Sequence, residues 1–145
     1  MDAPRRALSI RQPFAELILR GEKRIEYRTR ATKLVGERFY IYAAGKWPPA
    51  KAKRTVWSTD LSMPEGIGSG ETVWPWLLEM AKGLELFPGD LPTGLLVGAA
   101  TISEIEQRGD GMFAWHLREV ERLDEPLKPD GHPQPTWWFP FRGAA

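Results

Sequence analysis

The sequence predicts a single α+β domain. Three observations carry that expectation: short segments of alternating apolarity separated by loops, two stretches with apolar residues at helical spacing, and a length of 145 residues that suits one domain with its own core. Phe14, Leu17, Ile18, Ile25, Phe39, Ile41, Val97 and Ile102 each fall on the apolar phase of their segment and are the expected core.

Residues 1–6 read as a loose basic tail, and Leu8-Ser9-Ile10 is a β-type fragment. Pro13 suits a first helical turn, where its missing N–H is no loss. Phe14, Leu17 and Ile18 then predict a helix over 13–20, which Gly21 can stop by taking the left-handed conformation. A strand with Ile25, Glu26, Tyr27 and Arg28 comes next. In it Glu26 and Arg28 share one face, and Lys23, of the other parity, joins them only from the turn before the strand. Residues 29–35 form a polar loop carrying Arg30 and Lys33. Beyond it Phe39, Ile41 and Ala43 alternate with Tyr40 and Tyr42, so this strand is apolar on both faces and central.

Residues 46–70, with Pro48-Pro49 and Gly66, Gly68 and Gly70, read as a less ordered insertion within the 1–145 domain. A second helix is predicted over 72–86 from Val73, Leu77, Met80, Ala81 and Leu84, with Trp74 and Trp76 anchoring its start. A strand over 95–105 follows, whose Gly98, Ala99 and Ala100 mark a close approach of another group. After a turn at Gly109 and Gly111, a further strand runs from 113 to about 123. The proline-rich tail bearing Trp137 and Trp138 is confined to an edge or a wrapping arm.

A formal charge of +1 is too small for a whole-surface nucleic-acid footprint, so any such contact must be a local patch. Such a patch is visible near the start, where Arg5, Arg6, Arg11, Arg20, Lys23, Arg24, Arg28, Arg30 and Lys33 meet only Asp2, Glu16, Glu22 and Glu26. Without cysteine there are neither disulfides nor thiolate metal sites. His116 and His132 are the only histidines and cysteine is absent, so no metal is expected. Phosphate-loop, dinucleotide and nucleophile-elbow motifs are missing too, and no cofactor is expected. No apolar run approaches the ~20 residues of a membrane span, which makes a soluble cytoplasmic protein the expectation.

Lys23, Glu26 and Arg28 are the leading site candidates. Lysine offers a compact charge and arginine a planar fork of donors for phosphate, while a carboxylate can accept from an exocyclic amine of a base. A strand-face ion pair between Glu26 and Arg28 is the competing reading. Ser9, Arg11 and Gln12 precede a helix and could meet an anion there, or Gln12 or Ser9 could simply close the helix start. Arg30 extends the basic patch. Tyr42, with Tyr40, Trp137 and Trp138, is placed to stack on a base or to pack in the core.

The stretch LSIRQPFAELILRGEKRIEYR, followed by GERFYIYAA and GLLVGAATISEIE, resembles an ASCH domain of the PUA-like superfamily. Gly21, Lys23, Glu26 and Arg28 match GxKxxExR, and residues 8–15 match LSxRQPxA. That resemblance implies a PUA-like β-barrel with flanking helices and a cleft for RNA, a nucleotide or a nucleoside, with DNA as an alternative and no particular protein partner. Some ASCH proteins hydrolyse acylated cytidine nucleosides with a lysine, a threonine and a glutamate, and some relatives have been assigned ribonuclease activity. Lys23 is the counterpart of that lysine, whereas Glu26 occupies the threonine's place and removes the hydroxyl nucleophile. Lys23 and Glu26 would be the catalytic pair of a metal-independent hydrolase, the alternative to a binding domain. A third reading makes the aromatic tail a peptide-docking arm, which an exposed apolar patch would signal.

Overall fold

Leu8 and Ile10 point one way from the first strand, and everything else is laid against that strand on both sides. A computed structural model describes residues 3–45 and 91–142. The first strand, β1 (Arg6–Arg11), is followed by the helix α1 (Phe14–Leu19), β2 (Ile25–Arg28), β3 (Arg38–Ala44), β4 (Leu95–Gln107), β5 (Phe113–Leu127) and β6 (Trp137–Trp138). They form one six-stranded sheet in the order β2-β5-β4-β3-β1-β6. β1 runs parallel to β3 in the register Leu8 to Ile41, and the other pairings are antiparallel.

Period-2 patterning puts Leu8, Ile10, Phe39, Ile41, Ala43, Ala100, Ile102 and Trp115 into one buried cluster, onto which α1 lowers Phe14, Leu17 and Ile18. On the other face a smaller cluster joins Ala7, Leu96 and Trp138, with Tyr40, Tyr42 and Phe141 packed against it. β3 sits between β4 and β1, as its two apolar faces require. Gly21, at φ +80°, stops α1, and the amides of Glu22 and Lys23 both return to the Leu17 carbonyl at 3.0 and 3.1 Å.

Among the described residues the fold is mainly β, a curled half-barrel with α1 its one helix, the coarser form of the expected α+β barrel. The second helix over 72–86 and the insertion over 46–70 lie outside the described residues. The sheet curls without a closing ladder between its edges β2 and β6. Pro133 and Pro135 bring no N–H to such a ladder, and the Arg28 side chain reaches instead to the carbonyls of Ser9 (2.7 Å) and Pro135 (3.2 Å). Ile25 is half-buried, because β2 is a four-residue edge strand; the other expected core positions are buried.

β4 and β5 run longer than their apolar patterns, since the ladder between them continues through charged residues to Leu96 opposite Leu127. The register of that ladder shifts three times, and such irregularities bend a hairpin and raise its twist. The tail does form an edge strand, with Trp138 opposite Ala7. Among the described residues no helix is long and apolar enough to cross a membrane.

Candidate functional site

Where the curled sheet brings β2 near the start of α1 and the residues before β6, a cleft of ≈ 560 Å³ opens. Ser9, Arg11, Lys23, Glu26 and Arg28 line it together with Ile10, Phe14, Tyr27, Ala44, Gly45 and the segment Pro133-Gln134-Pro135. Its polar floor is thus flanked by apolar walls, the usual make-up of a small-ligand site.

Lys23 is 3% exposed, a position a lysine holds only when its charge is answered. It stands on the turn before β2, as its parity demands, and its Nζ lies 3.3 Å from Glu26 Oε1 and also donates to the Ile25 carbonyl. The rings of Phe14 and Tyr27 lie 6.0 and 5.8 Å from the same ammonium. Arg28 grips the other oxygen, with Nε and Nη2 each 2.8 Å from Glu26 Oε2. One carboxylate therefore holds two cations in fixed positions, and the floor is cationic. Arg11 stands exposed at the mouth and adds a further positive charge.

Ser9 is buried, donates to the Gln134 carbonyl at 2.5 Å and accepts from Trp138 Nε1 at 3.0 Å. It binds the cleft wall to β1. Gln12 lies outside the cleft lining: its Oε1 accepts from the Glu16 amide at 3.0 Å and its Nε2 donates to the Pro92 carbonyl at 2.9 Å, so it closes the helix start. Arg30 also lies outside; its carbonyl accepts from Trp115 Nε1 at 3.0 Å. Tyr42 packs edge-on against Trp138, with ring centroids 4.9 Å apart, away from the cleft. Burial alone raises its hydroxyl pKa. Trp137 stacks on Trp115 at 5.8 Å and 8°. Among the described residues no three His, Cys, Asp or Glu side chains group as metal ligands.

Sequence reasoning missed the wall 133–135, whose residues lie more than a hundred positions from Ser9 and Arg28; the prolines were the only signal of an unpaired, carbonyl-presenting segment. It also missed Glu16. That carboxylate is 5% exposed on α1 and takes a two-pronged contact from Arg122 (2.9 and 2.8 Å) and one from Arg20 (2.7 Å).

The family model for the ASCH domain matches residues 8–138. Among solved structures, an ASCH protein from Zymomonas mobilis superposes with a TM-score of 0.51 at 13% identity, covering 96% of this chain and 89% of that one. A serine-to-alanine variant of the Zymomonas mobilis protein gives 0.50 at 14% identity with the same coverage. A tyrosine-to-phenylalanine variant gives 0.50 at 13%, covering 96% of this chain and 91% of that one. At these identities the likeness speaks for the fold. No curated protein sequence matches the chain.

Proposed function

The chain belongs to the ASCH domain family, and from that premise we propose that it binds RNA or a nucleotide in the cleft floored by Lys23, Glu26 and Arg28. The observation that carries this reading is a cation pair, Lys23 buried and Arg28 half-buried, held by one carboxylate in a nucleotide-sized cleft with apolar walls. Arg28, half-buried, and Arg11, exposed at the mouth, offer donors to phosphate, and the buried Lys23 adds its charge. Glu26 first holds both cations in place. Its Oε1, which accepts from Lys23, retains a lone pair for an exocyclic amine of the base. The apolar walls suit the flat face of a base.

A hydrolase using Lys23 and Glu26 ranks second. A general base needs an oxygen ready to take a proton, and both Glu26 oxygens already face cations.

Equilibrium titration with cytidine monophosphate and a ten-nucleotide RNA, followed across salt concentrations, tests the binding reading. Arg28→Ala is expected to weaken both ligands about tenfold or more, whereas Glu26→Gln changes the preference among bases. Thermal melts accompany the titrations, because Arg28 also ties β2 to β1. Folded variants with the affinities of the parent would overturn the assignment. Robust deacylation of acetylated cytidine that is lost in Lys23→Ala would promote the hydrolase.

A further inference from the structure

At the far end of β1 from the cleft, the sheet carries a row of side chains that the cleft reading does not use. Arg38 pairs in register with Thr101, and Thr101 with Arg118. Arg6 opposite Phe39 sets Arg5 beside Arg38. Side chains directly across a ladder leave the same face, so Arg38, Thr101 and Arg118 cross three strands as one line, and Arg5, the residue before β1, stands at its end. They border a notch of ≈ 450 Å³, with Glu37 and Glu119 at its margin.

Three guanidiniums along one cross-strand line repel one another, and the protein fixes the middle one in place. Arg38 Nη1 lies 3.4 Å from Thr101 Oγ1 and 2.8 Å from the Glu119 carbonyl, and Nη2 lies 2.8 Å from Glu121 Oε1. Glu119 has φ 52°, the one positive value of a non-glycine among the described residues. It lies within a bulge of β5, where Ala99 pairs with Glu121 but Thr101 with Arg118. A strained backbone is therefore spent on aiming a carbonyl at Arg38, the kind of outlier that gathers at functional sites. Glu37, at the margin, lies 3.9 Å from Arg6 in a partly exposed pair. Arg5 and Arg118 stand exposed on either side of the fixed arginine.

We propose that this row is a second anion seat, in which Arg5, Arg38 and Arg118 with the Thr101 hydroxyl hold a phosphate group of an RNA strand. Ser9 and Arg11 share the parity of Ala7, and Arg38 that of Tyr40, so the row and Arg11 at the cleft mouth lie on one face, roughly 20 Å apart along an extended chain, while Glu26, opposite Trp115, floors the cleft from the other. A strand with one nucleotide in the cleft reaches the seat with a phosphate farther along. The RNA part of this inference rests on the cleft reading; the anion seat does not.

The intact protein and Arg5→Gln/Arg118→Gln, which leaves Arg38 and the cleft untouched, are titrated with three probes. Inorganic phosphate, followed by the backbone amide NMR signals of Thr101 and Arg118, is expected to give saturable shifts at millimolar concentration, weakened at least fivefold in the double variant. Shifts that do not saturate, or that are the same in the variant, overturn the seat. Cytidine monophosphate is expected to bind parent and variant alike. The ten-nucleotide RNA is expected to lose several-fold in affinity, and its salt slope to drop by about 0.7, the ~0.7 of one single-strand phosphate. An unchanged slope beside intact phosphate shifts overturns the RNA role and leaves a seat for free phosphate. If neither the nucleotide nor the RNA binds the parent, the cleft reading fails, while the phosphate shifts still decide the seat.

Discussion

Arg28 shows how much one side chain can settle. Its guanidinium donates to a carboxylate on its own strand, to the Ser9 carbonyl on β1 and to the Pro135 carbonyl ahead of β6, and it lies 5.7 Å from the Trp115 ring. A lysine could not make that fork. Gly98 is the opposite case, a residue chosen for what it lacks. A Cβ there would strike Leu19 Cδ2 and come within 2.7 Å of the Glu121 carbonyl. The leucine tip can turn aside, but the backbone carbonyl belongs to the β4–β5 ladder and cannot. Gly98→Ala is therefore expected to cost about 1–3 kcal/mol through overpacking, read as a lower urea midpoint. A midpoint equal to the parent's would mean that the Glu121 carbonyl of β5 does not close on Gly98 as described.

At the scale of elements, α1 is held from two sides. Leu17 and Ile18 are fully buried beneath it, and Leu17→Ala is expected to cost ~2–5 kcal/mol in chemical denaturation. Above, Glu16 ties it to β5 through Arg122. Burial pushes the Glu16 carboxyl up, but the hydrogen bonds and charges of Arg122 and Arg20 outweigh it and hold its pKa below the ordinary 4.5. A depressed folded value means that the tie contributes fully above the unfolded pKa and is lost as pH falls through the folded one. The gap in stability between parent and Glu16→Gln is thus expected to be flat at about 1–3 kcal/mol near neutrality and to shrink below about pH 4.5. Urea titrations over a pH series measure it, and a gap that widens in acid would contradict the assignment. The helix itself was legible in the spacing of Phe14, Leu17 and Ile18. The tie was not, because Arg122 lies 106 positions away and Glu16 reads in sequence as an ordinary helix-surface charge.

For the whole molecule, the sequence displayed the strands and the placing of Lys23 on the turn before β2, since both follow from period and parity. It did not display the curl, which depends on bulges in β4 and β5 where charged residues keep the ladder going past the apolar pattern. Helix closure by Gln12 and core packing of Tyr42 were among the readings the sequence offered, but the bond from Trp115 to the Arg30 carbonyl was not legible, because the two lie 85 positions apart. The tail binds these parts together. Trp138 is 5% exposed, packs against Tyr42 and donates to Ser9. Trp138→Ala is expected to destabilise by ~3–5 kcal/mol and to loosen the cleft wall at 133–135, so amide hydrogen exchange should rise there first. Exchange confined to β6 itself would separate the wall from the tail.

The stacked indoles of Trp115 and Trp137 have an optical consequence. Two aromatic chromophores held nearly parallel at 5.8 Å couple their transitions, and this pair bridges β5 and β6, strands that do not pair with each other. The coupled near-ultraviolet dichroism therefore reports the curvature of the sheet, while the far-ultraviolet signal reports its hydrogen-bonded strands. Flattening the sheet would part the two indoles and change their coupled signal, so polarised light can watch the half-barrel open without a label.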